Sequence, residues 1–185
     1  MILPPVGTPG PDLRELLALF PATVDDLHDC KVIPARQVPQ PCWSLLDHEH
    51  HMTVTMEAHH GAPVEVQVLD RIHDRDYYAR RIILNLRGSR RIVLYGLVLI
   101  DFRFCDGPVR AEIESEKVPL GRVLISHNVL RRIEPTAFLR VTPGPNLIRW
   151  FGLDGPRDCY GRLAYIHCNE QPAIELLEVI TPETV

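Results

Sequence analysis

Two charged residues stand where strand patterns are otherwise apolar. Tyr77-Tyr-Ala-Arg-Arg-Ile-Ile-Leu-Asn-Leu86 is rich in aromatic and β-branched residues and ends at the turn signal Arg87-Gly88-Ser89, so it reads as a strand. Alternate side chains of a strand point to opposite faces, which puts Arg80 in line with Tyr78, Ile82, Leu84 and Leu86. In the last apolar run, Glu178 falls in line with Ile174, Leu176 and Ile180, while Glu175 falls on the other face. A guanidinium cannot shed its charge, so a buried one needs an anionic partner. Three arrangements satisfy the pattern. Arg80 and Glu178 form a core ion pair, one of them reaches solvent at a strand end, or both line one cavity. In the third, Arg80 anchors a ligand carboxylate. Glu178, kept protonated by apolar enclosure, then serves as proton donor or hydrogen-bond partner. That version expects Arg80 to lack a close carboxylate of the protein's own.

Other groups that could do chemistry are weaker. Pro119-Leu-Gly-Arg122 reads as a helix entrance, which leaves backbone N–H groups able to hold an anion, or simply as a helix start. His48, His50, His51, His59 and His60, with Glu49, are metal-ligand types, but their spacing matches no zinc signature, and an exposed polar stretch is the plainer reading. No metal is expected. There is no Gly-x-Ser-x-Gly, no Gly-x-Gly-x-x-Gly and no phosphate-binding loop, so no organic cofactor is expected either. Cys30, Cys42, Cys105, Cys159 and Cys168 are odd in number and include no C-x-x-C pair. They read as thiols in a reducing cytoplasm.

The elements that must carry these residues form an α+β pattern. Strands are predicted over 64–69, 77–86, 91–102, 137–141, 160–168 and 173–180, giving a six-stranded antiparallel sheet. Helices are predicted over 13–20, 54–60 and 109–114 and from Pro119, with a helical turn over 23–28. Residues 1–11 read as a loose arm, 33–42 as a connector, and 70–76 and 142–156 as loops. The organisation expected is an N-terminal arm and helix over 1–42, then one domain over 43–185. With 185 residues, 45% of them hydrophobic, the chain can bury a sizeable core. Its net charge of -4 offers no basic field for nucleic acid or anionic membrane. No stretch reaches the roughly 20 apolar residues of a membrane span, and the N-terminus is not a signal peptide.

Taken in order, Leu45-Leu-Asp-His-Glu-His-His-Met-Thr53, Tyr77-Tyr-Ala-Arg-Arg81, Pro119-Leu-Gly-Arg122, Tyr160-Gly-Arg162 and Glu178-Val-Ile-Thr-Pro182 resemble the chorismate pyruvate-lyase family. The resemblance implies a six-stranded antiparallel sheet with flanking helices around an enclosed ligand cavity. It implies a carbon–oxygen lyase that eliminates pyruvate from chorismate to give 4-hydroxybenzoate or a related hydroxybenzoate, without cofactor. By the same resemblance, Arg80 holds the ring carboxylate and the Leu120 backbone N–H supports it. Met52 contributes a backbone contact from a flap, and Glu178 is the acid near the leaving group or product hydroxyl. A second arginine of the family is replaced by Leu97 in Tyr95-Gly96-Leu97. The fold also resembles the effector-sensing domain of some bacterial transcription regulators. The alternative is therefore a non-catalytic protein that binds a small aromatic acid.

Overall fold

The structure, a computed structural model, describes residues 10–182, so the arm expected over 1–11 lies almost wholly outside the described residues. Seven strands form one antiparallel sheet: β1 (Leu27–Ile33), β2 (Val64–His73), β3 (Tyr77–Leu86), β4 (Ile92–Asp101), β5 (Arg131–Pro143), β6 (Cys159–Cys168) and β7 (Gln171–Ile180). Their order across the sheet is β1-β5-β6-β7-β4-β3-β2. Seven helices flank it: α1 (Leu13–Ala18), α2 (Thr23–Asp26), α3 (Cys42–Leu46), α4 (Met52–His60), α5 (Gly107–Glu114), α6 (Leu120–Ser126) and α7 (Pro145–Phe151). Among the described residues, no helix is long and apolar enough to cross a membrane.

The class is α+β, with seven strands rather than the expected six. The additional strand is β1, whose polar core His28-Asp29-Cys30-Lys31 carries little strand propensity. It forms because β5 offers a ladder: Cys30 pairs with Val141 and Val32 with Leu139. A strand therefore spans residues 29–32, left without an assignment, together with the end of the expected helical turn and the first residue of the expected connector. β5 begins at Arg131, six residues before the expected start, because Pro135 sits at a bulge between Pro135 and Ala137 where no ladder bond is lost. α7 occupies the expected loop. Pro145 suits its first turn and Gly152 closes it with a left-handed φ of 65°.

The sheet is covered on both faces, so its central strands are almost wholly buried. On one face Ile83, Leu97, Leu163 and Leu177 meet Leu16, Phe20 and Leu147 of the α1 and α7 layer. On the other, two apolar clusters form. Val98 and Leu176 pack with Val109 and Val123 of α5 and α6. Leu84 and Leu94 pack with Leu46 and Met56 of α3 and α4. Each fully buried aliphatic side chain contributes about 1.5–3 kcal/mol. These clusters can hold an unfavourable charge in the sheet between them.

Candidate functional site

A small, partly open cavity of about 40 Å³ lies between that second face and the first turns of α4 and α6. Met52, Arg80, Leu120 and Glu178 all stand on its wall, together with His51, Arg162 and an aliphatic lining. Strand order sets how Arg80 and Glu178 are related. β4 separates β3 from β7; Arg80 is level with Val98, and Glu178 with Gly96. Two strand spacings sideways and two residues along separate their backbones by roughly 12 Å. Gly96 and Val98 form the floor between them.

Arg80 is 1% exposed, and its Nε and Nη1 have no hydrogen-bond partner. Among the described residues, no carboxylate lies within ion-pair distance of it. Burial pulls the guanidinium's pKa down from its usual range. Tyr78 and Glu116 act in the opposite sense. The Tyr78 hydroxyl donates to Glu116 at 2.6 Å and keeps its oxygen as an acceptor on the Arg80 side. The cavity wall thus holds a buried charge whose Nε and Nη1 donors meet no protein acceptor, an arrangement that costs several kcal/mol.

Glu178 does not supply the missing acceptor. It lies directly across the ladder from Arg162 and accepts a 2.7 Å hydrogen bond from Arg162 Nε. The core ion pair read from the sequence exists, but with Arg162 in place of Arg80. Glu178 is therefore the acceptor of a charged donor. Arg162 itself was legible only as part of Tyr160-Gly-Arg162. Its alternation with Ala164 and Ile166 on β6 is the signal that marks it as a second charge on the cavity face.

The roof is built from two helix starts. First-turn N–H groups have no intrahelical acceptor, and those of Met52 and Leu120 belong to cavity-lining residues. The starts touch: a Cβ on Gly121 would stand 2.8 Å from His51 Cβ, so only glycine permits this approach. Arg122 of α6 also donates to Glu57 of α4. His51 accepts from Arg131 Nε through Nε2 at 2.7 Å, which fixes a neutral tautomer. Its pKa is pushed down to about 4, first by burial and then by the Arg131 and Arg162 charges. His48 is likewise pushed down to about 4, by burial and then Arg162.

Leu97, expected at the place of a second cavity arginine, points away into the core on the opposite face. The cavity residue of that pair is Gly96. Among the described residues, no group of three or more His, Cys, Asp or Glu is arranged to hold a metal ion.

No protein-family model matches the chain, and no curated protein matches it by sequence. Solved structures do. PhnF from Mycobacterium smegmatis matches with a TM-score of 0.55 at 11% identity, over 74% of this chain and 65% of that one. The chain thus spans less than two thirds of PhnF's length. The ligand-binding domain of a putative GntR-family transcriptional regulator from Bordetella bronchiseptica matches with a TM-score of 0.48 at 11% identity, over 66% of this chain and 92% of that one. The possible transcriptional regulator YydK from Bacillus subtilis matches with a TM-score of 0.45 at 10% identity, over 66% and 61%. Of these three, PhnF alone exceeds 0.5 and carries the fold. That fold is the chorismate lyase-like one shared by the ligand-binding domains of GntR-type regulators. The expectation of a carbon–oxygen lyase is corrected here: none of these three solved structures is named as a lyase, and two are named as transcriptional regulators or a domain of one.

Proposed function

We propose that the chain is a non-catalytic binding protein for a small aromatic carboxylic acid, the kind of ligand a regulator's sensing domain takes as effector. The observation that carries this reading is Arg80, a buried cation on the cavity wall whose Nε and Nη1 lack acceptors. A ligand carboxylate brings several lone pairs to those donors, and each charge-assisted hydrogen bond adds about 1.5–3 kcal/mol. In the proposed complex the Leu120 N–H supports the same carboxylate, and Met52 contributes its N–H from α4. The ring lies over Gly96 and Val98, and a ligand hydroxyl donates to the acceptor capacity of Glu178 that Arg162 leaves unused.

A thermal-shift panel of 4-hydroxybenzoate, 3-hydroxybenzoate and chorismate tests this, with benzamide as the uncharged control. A ligand at 100 times its Kd stabilises by about 2.7 kcal/mol, a rise of roughly 5–10 °C for a chain of this size. At least one hydroxybenzoate should give such a rise and benzamide should not. Chorismate should release no pyruvate. Absence of a shift with all three acids would sink the reading.

A further inference from the structure

The Arg162 guanidinium reaches in two directions. On one side its Nε holds Glu178. On the other, Nη1 donates to the carbonyls of Leu46 at 3.1 Å and His48 at 2.9 Å, and Nη2 reaches that of His50 at 3.5 Å. These carbonyls belong to the end of α3 and to the link 47–51, which curves around the guanidinium without forming a helix or strand. None of the three accepts from a backbone N–H among the described residues outside regular elements. Arg162 is 0% exposed, so water does not share the work. The link leads straight into His51, Met52 and Thr53, which roof the cavity.

We propose that Arg162 is the positioning residue that holds the link 47–51 closed over the cavity, so that a ligand enters and leaves only when its guanidinium releases those carbonyls. Five donors in a planar fork let one arginine grip Glu178 and several carbonyls together. A lysine has three donors at a single point and can keep only part of that set. The other side-chain ties of the link are local or lie at its far end: His48 Nε2 bonds the Leu45 carbonyl, and Arg131 bonds His51. The latch is a property of the protein alone. Its effect on ligand exchange rests on the binding function proposed above.

A Glu-specific protease provides the test, because Glu49 is exposed within the link and Glu170 is exposed in the β6–β7 turn as an internal reference. Wild type, Arg162→Lys, Arg162→Met and the surface control Arg140→Met are compared as full chains without ligand. Cleavage after Glu49 should be at least tenfold faster in both Arg162 variants, with cleavage after Glu170 within twofold of wild type. Should Arg162→Met not fold, Arg162→Lys retains a cation for Glu178 and decides the point. Equal acceleration at both sites, or none at Glu49, would overturn the latch. Stopped-flow binding of 4-hydroxybenzoate to Arg162→Lys should show association at least tenfold faster than in wild type, whatever the change in Kd through Glu178. A weaker Kd with unchanged association would overturn the gating role. Failure of wild type to bind 4-hydroxybenzoate would refute the ligand reading, and the protease result would still decide the latch.

Discussion

Arg80 and Arg81 are consecutive on β3, both buried, and only one of them has been given a carboxylate. Arg81 faces the α1 and α7 layer, where its Nη1 donates to Asp26 Oδ2 at 2.8 Å. Asp26 is 0% exposed and is also held by Tyr95 and Asn146. Arg80 faces the cavity, and its Nε and Nη1 meet no acceptor. The same side chain on the same strand is thus neutralised on one face and left open on the other. Arg81 is tied into the fold by Asp26, and in the binding reading proposed above Arg80 is left for a ligand carboxylate.

The two arginines should therefore respond in opposite directions to the same substitution. Arg80→Met removes an uncompensated buried charge and should stabilise the ligand-free protein by about 1–4 kcal/mol. Arg81→Met leaves Asp26 without its cation and should destabilise by roughly 3–5 kcal/mol. Urea denaturation midpoints at pH 7 measure both. A loss of stability in Arg80→Met comparable to that in Arg81→Met would mean that Arg80 is a structural residue.

Acid should loosen the roof of the cavity. His51 titrates near 4 in the folded protein and near its ordinary 6.5 when unfolded. Between those values the unfolded chain binds the extra proton, so the stability due to neutral His51 is fully present above about pH 6.5. It is lost as pH falls towards 4. The helix start beside the ring also disfavours a positive imidazole. Wild type should lose roughly 2–3 kcal/mol more over this range than His51→Gln. Parallel stability–pH curves for the two proteins would refute this assignment.

The contact between α4 and α6 should tolerate no methyl group. In Gly121→Ala the new Cβ meets His51 Cβ at 2.8 Å, so the helix starts must move apart. Overpacking of this kind costs about 1–3 kcal/mol. Because Leu120 moves with Gly121, affinity for a hydroxybenzoate should fall as well. An unchanged melting temperature would show that the roof yields without strain.

Much of this was legible in the sequence, and the limits have physical causes. Period-two alternation fixes which face Arg80 and Glu178 occupy, because that depends only on their own strands. It cannot say which charge sits next to which. That depends on strand order, and placing β4 between β3 and β7 hands Glu178 to Arg162, its direct ladder partner. Arg81 passed as an unremarkable member of its strand because its partner Asp26 lies 55 positions away. β1 was illegible because His28 to Lys31 is polar and takes its strand geometry from β5. The α+β antiparallel sheet that the resemblance implied is present, with seven strands in place of six.

The most direct measurement is calorimetric titration of 4-hydroxybenzoate into wild type and Arg80→Met at pH 7. If Arg80 is the ligand's anchor, wild type binds, and Arg80→Met binds at least about 100-fold more weakly although it is the more stable protein, the loss of two charge-assisted bonds being worth roughly 3 kcal/mol or more. Equal affinity in the two proteins would contradict the account.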